Sequence, residues 1–146
     1  MSEENVETVR EYYRRLDTAF DAYRANPSTR LHESPEADEV IGRLHPDVVW
    51  KPSRGDEYRG HEGVRRALED WVDAFGDDWQ LVVEDLVDAG NDQVLATFHL
   101  HLRGKGSGVP VDQRIYTVLT VGQGRITVID DFANREDAVE AAGLSE

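Results

Sequence analysis

The first 25 residues carry apolar side chains at the spacing of a helix that buries one face. These side chains recur every three or four positions, at Val6, Val9, Tyr13, Leu16, Phe20 and Tyr23. The spacing predicts an amphipathic helix over residues 4–25. A second stripe of the same kind predicts a helix over 62–75, closed by Gly76.

Two shorter helices are indicated by their start signals. Ser34 before Pro35 predicts a helix that runs to about residue 44. Asn134 predicts a last helix over 135–142. Runs rich in β-branched and aromatic residues predict strands at 48–51, 79–87, 93–103, 111–121 and 125–133. Helices gathered on one side of such a mainly antiparallel sheet make an α+β domain.

The strand at 93–103 carries two histidines on one face. Because side chains alternate along a strand, His99 and His101 point away from Phe98 and Leu100. At ~3.3 Å of rise per residue, the two imidazoles are expected roughly 7 Å apart. The pattern leaves open which face turns inward, since a shift of one residue exchanges the faces. We interpret the histidine face as the inner one, with His99 the deeper of the two.

Composition limits the possible partners. The 146 residues fit one domain, 1–146, with a flexible polar loop expected at 26–35 and a glycine-rich hairpin at 104–110. Thirty acidic residues against sixteen basic ones give a formal net charge of −14. This charge opposes nucleic-acid phosphates and anionic membranes, so neither is expected as a partner.

Cysteine is absent, which excludes a disulfide framework, thiolate catalysis and a cysteine zinc site. The start of the chain is acidic and lacks the apolar core of a signal peptide, and no run approaches the ~20 apolar residues of a membrane span. We therefore expect a cytoplasmic protein.

Several longer motifs follow one another in the predicted order of elements. They are VREYY, LHPDVVW, YRGHEGVRRAL, VLATFHLHLRGKGSGV and GRITVIDDFANREDAVEAAG. In these motifs the chain resembles the SnoaL-like branch of the nuclear transport factor 2-like superfamily. The resemblance implies a cone-shaped roll, in which a strongly curved sheet wraps over three to four helices around an apolar pocket. It also implies a homodimer, which we expect to form through the sheet.

Compared with ketosteroid isomerase, a relative in that superfamily, the chain keeps only part of the catalytic set. The resemblance places Tyr12 where the isomerase has the tyrosine of its oxyanion hole. The base aspartate of the isomerase falls near Pro52, and proline cannot act as a base. Its second aspartate corresponds most nearly to Tyr116, which can donate a hydrogen bond.

Limonene epoxide hydrolase gives a second partial match. Asp131, in the segment GRITVIDDF, matches an aspartate of that enzyme. The arginine and the other aspartate of the hydrolase fall around Thr97 and His99, so its catalytic triad is absent. Neither enzyme's mechanism is therefore expected to transfer whole, because function lies in pocket residues and not in the fold.

The candidate catalytic residues are His99, Asp131, Tyr116 and Tyr12. We expect His99 or Asp131 to move a proton while Tyr116 or Tyr12 donates a hydrogen bond to a carbonyl or hydroxyl oxygen. The alternative for Asp131 is a salt bridge to Arg114 or Arg103. Candidate substrate-binding residues are Trp50, Tyr58, Trp71, Phe75, Thr97, His101 and Val118.

No cofactor and no metal is expected. Two histidines can begin a metal site, but zinc or iron needs at least a third ligand. Asp131 is the only obvious candidate, and ordinary polar roles for His99 and His101 are favoured.

Three functions remain open. The first is cofactor-free acid/base catalysis, such as isomerisation, cyclisation, dehydration or hydrolysis, on a small and largely apolar molecule. The second is a non-catalytic binding module, which the proline at position 52 favours. The third is a dimerisation module whose cavity is filled by side chains.

Overall fold

The structure is a computed structural model that describes residues 2–75, 79–103 and 110–144. All of the predicted helices and strands are present. In chain order the elements are α1 Ser2–Ala25, α2 Pro35–Ile41, β1 Leu44–Lys51, β2 Tyr58–Arg59, α3 Gly60–Phe75, β3 Trp79–Gly90, β4 Gln93–Arg103, β5 Pro110–Gly122, β6 Arg125–Phe132 and α4 Arg135–Ala141.

Two boundaries differ from prediction around residue 44. Helix α2 ends at Ile41 with Gly42 as its C-cap, and β1 begins at Leu44 where the helix was expected to continue. Pro46, a residue type that is common in turns, lies inside β1. The pairing of β1 with β6 shifts register between Leu44 and Val49, and this irregularity accommodates a residue that has no backbone N–H to donate.

Within the described residues, the sheet has six strands in the order β2-β1-β6-β5-β4-β3. The β1–β6 pair is parallel, and the other neighbouring pairs are antiparallel. Register shifts interrupt the β3–β4 and β5–β6 ladders, and such bulges bend a sheet and increase its twist. The open mixed sheet with four helices confirms the predicted α+β class.

The two faces of the sheet are covered differently. The inner face packs on α1, α2 and α3 and forms the main core, to which β4 contributes Val94, Ala96 and Phe98. The outer face is covered in part by α4, which buries Leu95 and Val118 in a smaller cluster. The even-numbered side chains of β4 therefore turn inward, which is the reverse of our interpretation.

The Gly-His-Glu-Gly opening of α3 has a role in packing. Gly60 adopts a φ of +70°, a conformation that favours glycine. A Cβ on Gly63 would lie 3.0 Å from the backbone carbon of Tyr58, so only glycine lets α3 approach β2 this closely. The His61 Nε2 lies 3.0 Å from the carbonyl oxygen of Leu44 and joins the helix to β1.

Part of the predicted 26–35 loop is ordered by burial. Residues Leu31–Glu33 form a 3-10 helix, and the Leu31 side chain is only 2% exposed. Ser34 follows as the predicted N-cap of α2, its hydroxyl accepting from the Ala37 N–H. Gly76 and most of the glycine-rich hairpin, 104–109, lie outside the described residues. Among the described residues, no helix combines the length and the apolar character needed to cross a membrane.

Candidate active site

Asp131 presents its carboxylate on the inner face of β6, where Thr117 of β5 is its register partner. The Thr117 hydroxyl donates to Asp131 Oδ1 over 2.7 Å. The indole Nε1–H of Trp50, on β1, donates to Oδ2 over 2.7 Å. Each carboxylate oxygen thus has a neutral donor that fixes its direction, and each keeps a lone pair.

The environment of Asp131 raises the pKa of its carboxyl group above the ordinary value. Burial is the largest cause, because it disfavours the charged form. The hydrogen bonds from Trp50 and Thr117 lower the pKa, and the charge of Asp130 raises it. The predicted alternative, a salt bridge to Arg114, is wrong: Arg114 donates to Glu84 Oε1 over 2.8 Å. The side chain of Arg103 lies outside the described part of the chain.

An apolar cavity of about 80 Å³ lies beside this carboxylate, between the inner sheet face and helices α1 and α3. Its walls include Tyr12, Tyr13, Leu68, Trp71, Phe98 and Ile129. The space holds a small group but not a whole drug-sized molecule, for which sites of ~300 Å³ or more are usual.

A wider, solvent-open vestibule of about 580 Å³ adjoins the cavity. Trp50, Trp71, Ile115 and Asp131 line both spaces. Tyr58 and Phe75 also line the vestibule. The ring centroid of Tyr58 lies 6.0 Å from that of Trp50. Asp131 therefore lies where the small apolar cavity meets the wider vestibule.

Two tyrosines on α1 complete the inner end of the site. Tyr12 is 3% exposed and Tyr13 9% exposed, and their rings meet edge to face at 4.8 Å. Burial raises the pKa of both phenols, and the negative charge of Asp131 raises each of them further. Both hydroxyls therefore stay protonated at neutral pH and remain able to donate hydrogen bonds.

Trp71 also lines the cavity, and its indole N–H is a hydrogen-bond donor without a partner in the protein's described residues. Its indole Nε1 is buried and has no hydrogen-bond partner among the described residues. A buried N–H without an acceptor costs free energy, and an acceptor on a bound molecule that reached it would remove that cost. Trp71 was predicted as a lining residue because of its residue type. Nothing in the sequence indicated that its indole N–H would lack a hydrogen-bond partner.

The structure brings together only part of the predicted site. Tyr12, Asp131, Trp50 and Trp71 lie on the cavity, and Tyr58 and Phe75 lie on the vestibule. The remaining predicted residues lie on the outer face of the sheet, as the register and the burial pattern of β4 and β5 show: Thr97, His99, His101, Tyr116 and Val118.

The predicted placement of these five residues in the pocket is wrong because the opposite side chains of β4 and β5 turn inward. Val118 is 3% exposed and Tyr116 packs beside it, in the cluster under α4. One signal could have decided the choice: the even-numbered β4 residues from Val94 to Leu102 are all apolar, whereas the odd-numbered set contains both histidines. Thr117 was missed for the same reason, since it shares the inner face with Ile115.

Comparison with known proteins places these features in a family context. The model of a family described as SnoaL-like domain matches residues 9–129. A search of curated proteins finds no match to the sequence.

Solved structures with similar folds share little sequence identity with the chain. One is a protein from Jannaschia sp. CCS1 described as a SnoaL-like polyketide cyclase, 20% identical, with 97% of this chain and 92% of that chain covered and a TM-score of 0.69. Another is SalBIII, described as an epoxide hydrolase/cyclase-like enzyme with a role in pyran ring formation in salinomycin, 15% identical, with 92% and 94% covered and a TM-score of 0.67. A third is TerC co-crystallised with polyporic acid, 17% identical, with 96% and 98% covered and a TM-score of 0.65. These likenesses show a common fold.

Proposed function

Since the chain belongs to the SnoaL-like domain family, we propose that it binds a small, largely apolar organic molecule across the cavity and vestibule and moves a proton on that molecule with Asp131. The observation that carries the proposal is the position of this carboxylate. It lies where the small apolar cavity meets the wider vestibule, and its pKa is raised by burial. A carboxylate with a raised pKa in an apolar site is suited to general acid/base work.

The remaining groups define a class of chemistry. A ketone or enone held with its oxygen toward the Tyr12 hydroxyl would have an adjacent C–H near Asp131. The carboxylate takes that proton, the C–H electron pair moves into the carbonyl as an enolate, and the neutral phenol stabilises the oxyanion. Asp131 then returns the proton to the same carbon or to another one. No cofactor is needed for this sequence, which supports isomerisation, cyclisation and dehydration alike.

A titration followed by NMR tests binding and chemistry in one sample. We expect 2-cyclohexenone to shift the indole N–H resonances of Trp50 and Trp71 in a saturable way. In D₂O, we expect the protein to speed deuterium uptake at C6, the saturated carbon beside the carbonyl. Trp79 lines neither the cavity nor the vestibule, but its ring lies 5.4 Å from that of Trp71, so its resonance is expected to shift less than those of Trp50 and Trp71. Saturating shifts confined to Trp79, or no shifts at all, would contradict the proposal.

Binding without reaction is the second candidate function. It is favoured by the hydrogen bonds on both oxygens of Asp131, which lower the pKa of the carboxyl group and so weaken it as a base. In this case the same probe shifts the resonances of Trp50 and Trp71, and the deuterium uptake stays at the rate measured without protein.

Association of two copies through the sheet is a further proposal. Its support is apolar surface on the outer face of β3, where Val82 and Val87 are 39% and 40% exposed. Sedimentation velocity at micromolar concentration is expected to give a dimer, and a monomer there would contradict this proposal. Proton transfer by Asp131 does not depend on the result, because Asp131 faces the opposite side of the sheet.

A further inference from the structure

Three potential metal ligands converge on the outer face of the sheet, on the side opposite the cavity. The register of β4 and β5 pairs His101 directly with Asp112, and it places His99 two residues away on the same face. One donor atom from each residue lies within 4.8 Å of the other two. Asp112 Oδ1 contacts His101 Nδ1 and lies 3.7 Å from His99 Nε2.

The two imidazoles are closer than the strand rise predicts. Their ring centroids are 4.0 Å apart, with the ring planes tilted by 39°. The expected separation of roughly 7 Å applies to side chains that stand upright on the sheet. Here the rings lean toward each other, so the two nitrogens and the carboxylate approach a common point.

We propose that His99, His101 and Asp112 form a binding site for a divalent transition-metal ion, of which Zn²⁺ is the representative. Imidazole nitrogen and carboxylate oxygen are ligands that Zn²⁺ prefers, at bonds of ~2.1 Å, which puts the donors of a tetrahedral site ~3.4 Å apart. The donor atoms here lie within 4.8 Å of one another, and Asp112 Oδ1 and His99 Nε2 are 3.7 Å apart, close to that value. Mg²⁺ and Ca²⁺, which prefer oxygen ligands, do not suit this set.

The surrounding charges are compatible with a bound cation. Arg114 is the register partner of His99 and would repel a metal ion, but its guanidinium donates to both carboxylate oxygens of Glu84, at 2.8 and 3.4 Å. The arginine is thus neutralised and held by its own partner. The net charge of −14 favours cations in general.

The site is separate from the proposed proton transfer. Asp131 was the expected third ligand, but it lies on the inner face, whereas Asp112 is on the outer face with the histidines. The side chains of His101 and Asp112 are 45% and 65% exposed. A metal ion held by three protein ligands at such a surface keeps at least one coordination position open to water or to a donor from another molecule.

Isothermal titration of the metal-free protein with ZnCl₂, with any purification tag removed, tests this inference. We expect one Zn²⁺ per chain, and a shift of the imidazole NMR signals of His99 and His101. His101→Ala and Asp112→Asn should each weaken the affinity by about tenfold or more, since each removes one of three ligands. Both side chains are exposed, so neither change is expected to unfold the protein.

His45→Ala is the matched control, because it removes an imidazole from β1 that contacts the Asp47 N–H and has no place in the cluster. Its affinity for Zn²⁺ should equal that of the unchanged protein. The inference is overturned if Zn²⁺ does not bind, or if His45→Ala weakens binding as much as His101→Ala does. It is also overturned if the signals of other histidines shift in place of those of His99 and His101.

Discussion

Asp131→Asn is expected to slow deuterium exchange of the ketone probe by about 10²–10⁴-fold, the usual contribution of a positioned general base. The substitution keeps the shape of the side chain and most of its hydrogen bonds. Trp50 Nε1–H can still donate to the amide oxygen, and the amide N–H can donate to the Thr117 hydroxyl. The only capacity lost is proton transfer, so binding of the probe should persist.

The same substitution is expected to increase stability at neutral pH. The folded-state pKa of Asp131 is raised, so the folded protein binds the proton more tightly than the unfolded chain does. The favourable contribution of the protonated form is therefore complete below the unfolded pKa of ~3.9 and is lost as pH rises through the folded pKa. Asparagine does not ionise. The free energy of unfolding of Asp131→Asn, relative to that of the unchanged protein, should grow with pH and then level off. It should reach about 1.4 kcal/mol for each unit by which folding raises the pKa of Asp131.

Urea denaturation at several pH values, beside the exchange assay, measures both effects. Asp130→Asn is the matched control for exchange, because this neighbouring carboxylate points to the other face. Loss of its charge lowers the pKa of Asp131, so the rate should change far less than in Asp131→Asn. Unaltered exchange in Asp131→Asn would eliminate this residue as the base. If the stability of Asp131→Asn relative to the unchanged protein falls as pH rises, the pKa of Asp131 is lowered in the folded state.

Element positions were largely predictable because local signals and tertiary packing agree. The stripe from Val6 to Tyr23 and the start at Ser34 depend on helix periodicity and on a cap, which are local properties. The start of β1 was missed because Pro46 is a turn signal that the irregular pairing with β6 overrides. The pairing partner is about 80 residues away, so no local pattern contains it.

The sequence predicted a site residue correctly only where the argument did not depend on which face of a strand turns inward. Asp131 was found because its segment, GRITVIDDF, resembles one in limonene epoxide hydrolase that carries an aspartate at this position. His99 was assigned to the pocket through a choice of face on β4, and that choice also misplaced its neighbours on the same face. Tyr116 was assigned through the resemblance to ketosteroid isomerase. The contact of His101 with Asp112 depends on the register across β4 and β5, and the sequence of neither strand contains that information alone.

The choice of face on β4 can be tested in solution with two adjacent residues. Phe98→Ala is expected to lower the free energy of unfolding by about 3–5 kcal/mol, the usual cost of removing a buried phenylalanine. Phe98 is 2% exposed, and its ring packs against Tyr13 with centroids 4.5 Å apart. The lost ring would leave a space beside the cavity that the helices cannot fill without moving.

His99→Ala is the matched substitution one position along the strand. Its side chain is 26% exposed on the outer face, so in the presence of a metal chelator it should cost no more than about 0.5–1 kcal/mol. Urea denaturation of the two variants side by side gives the comparison. A larger cost for His99→Ala than for Phe98→Ala would mean that the imidazole and not the phenyl ring is packed against α1. The histidines would then face Asp131, and both the proposed proton transfer and the separate metal site would need different residues.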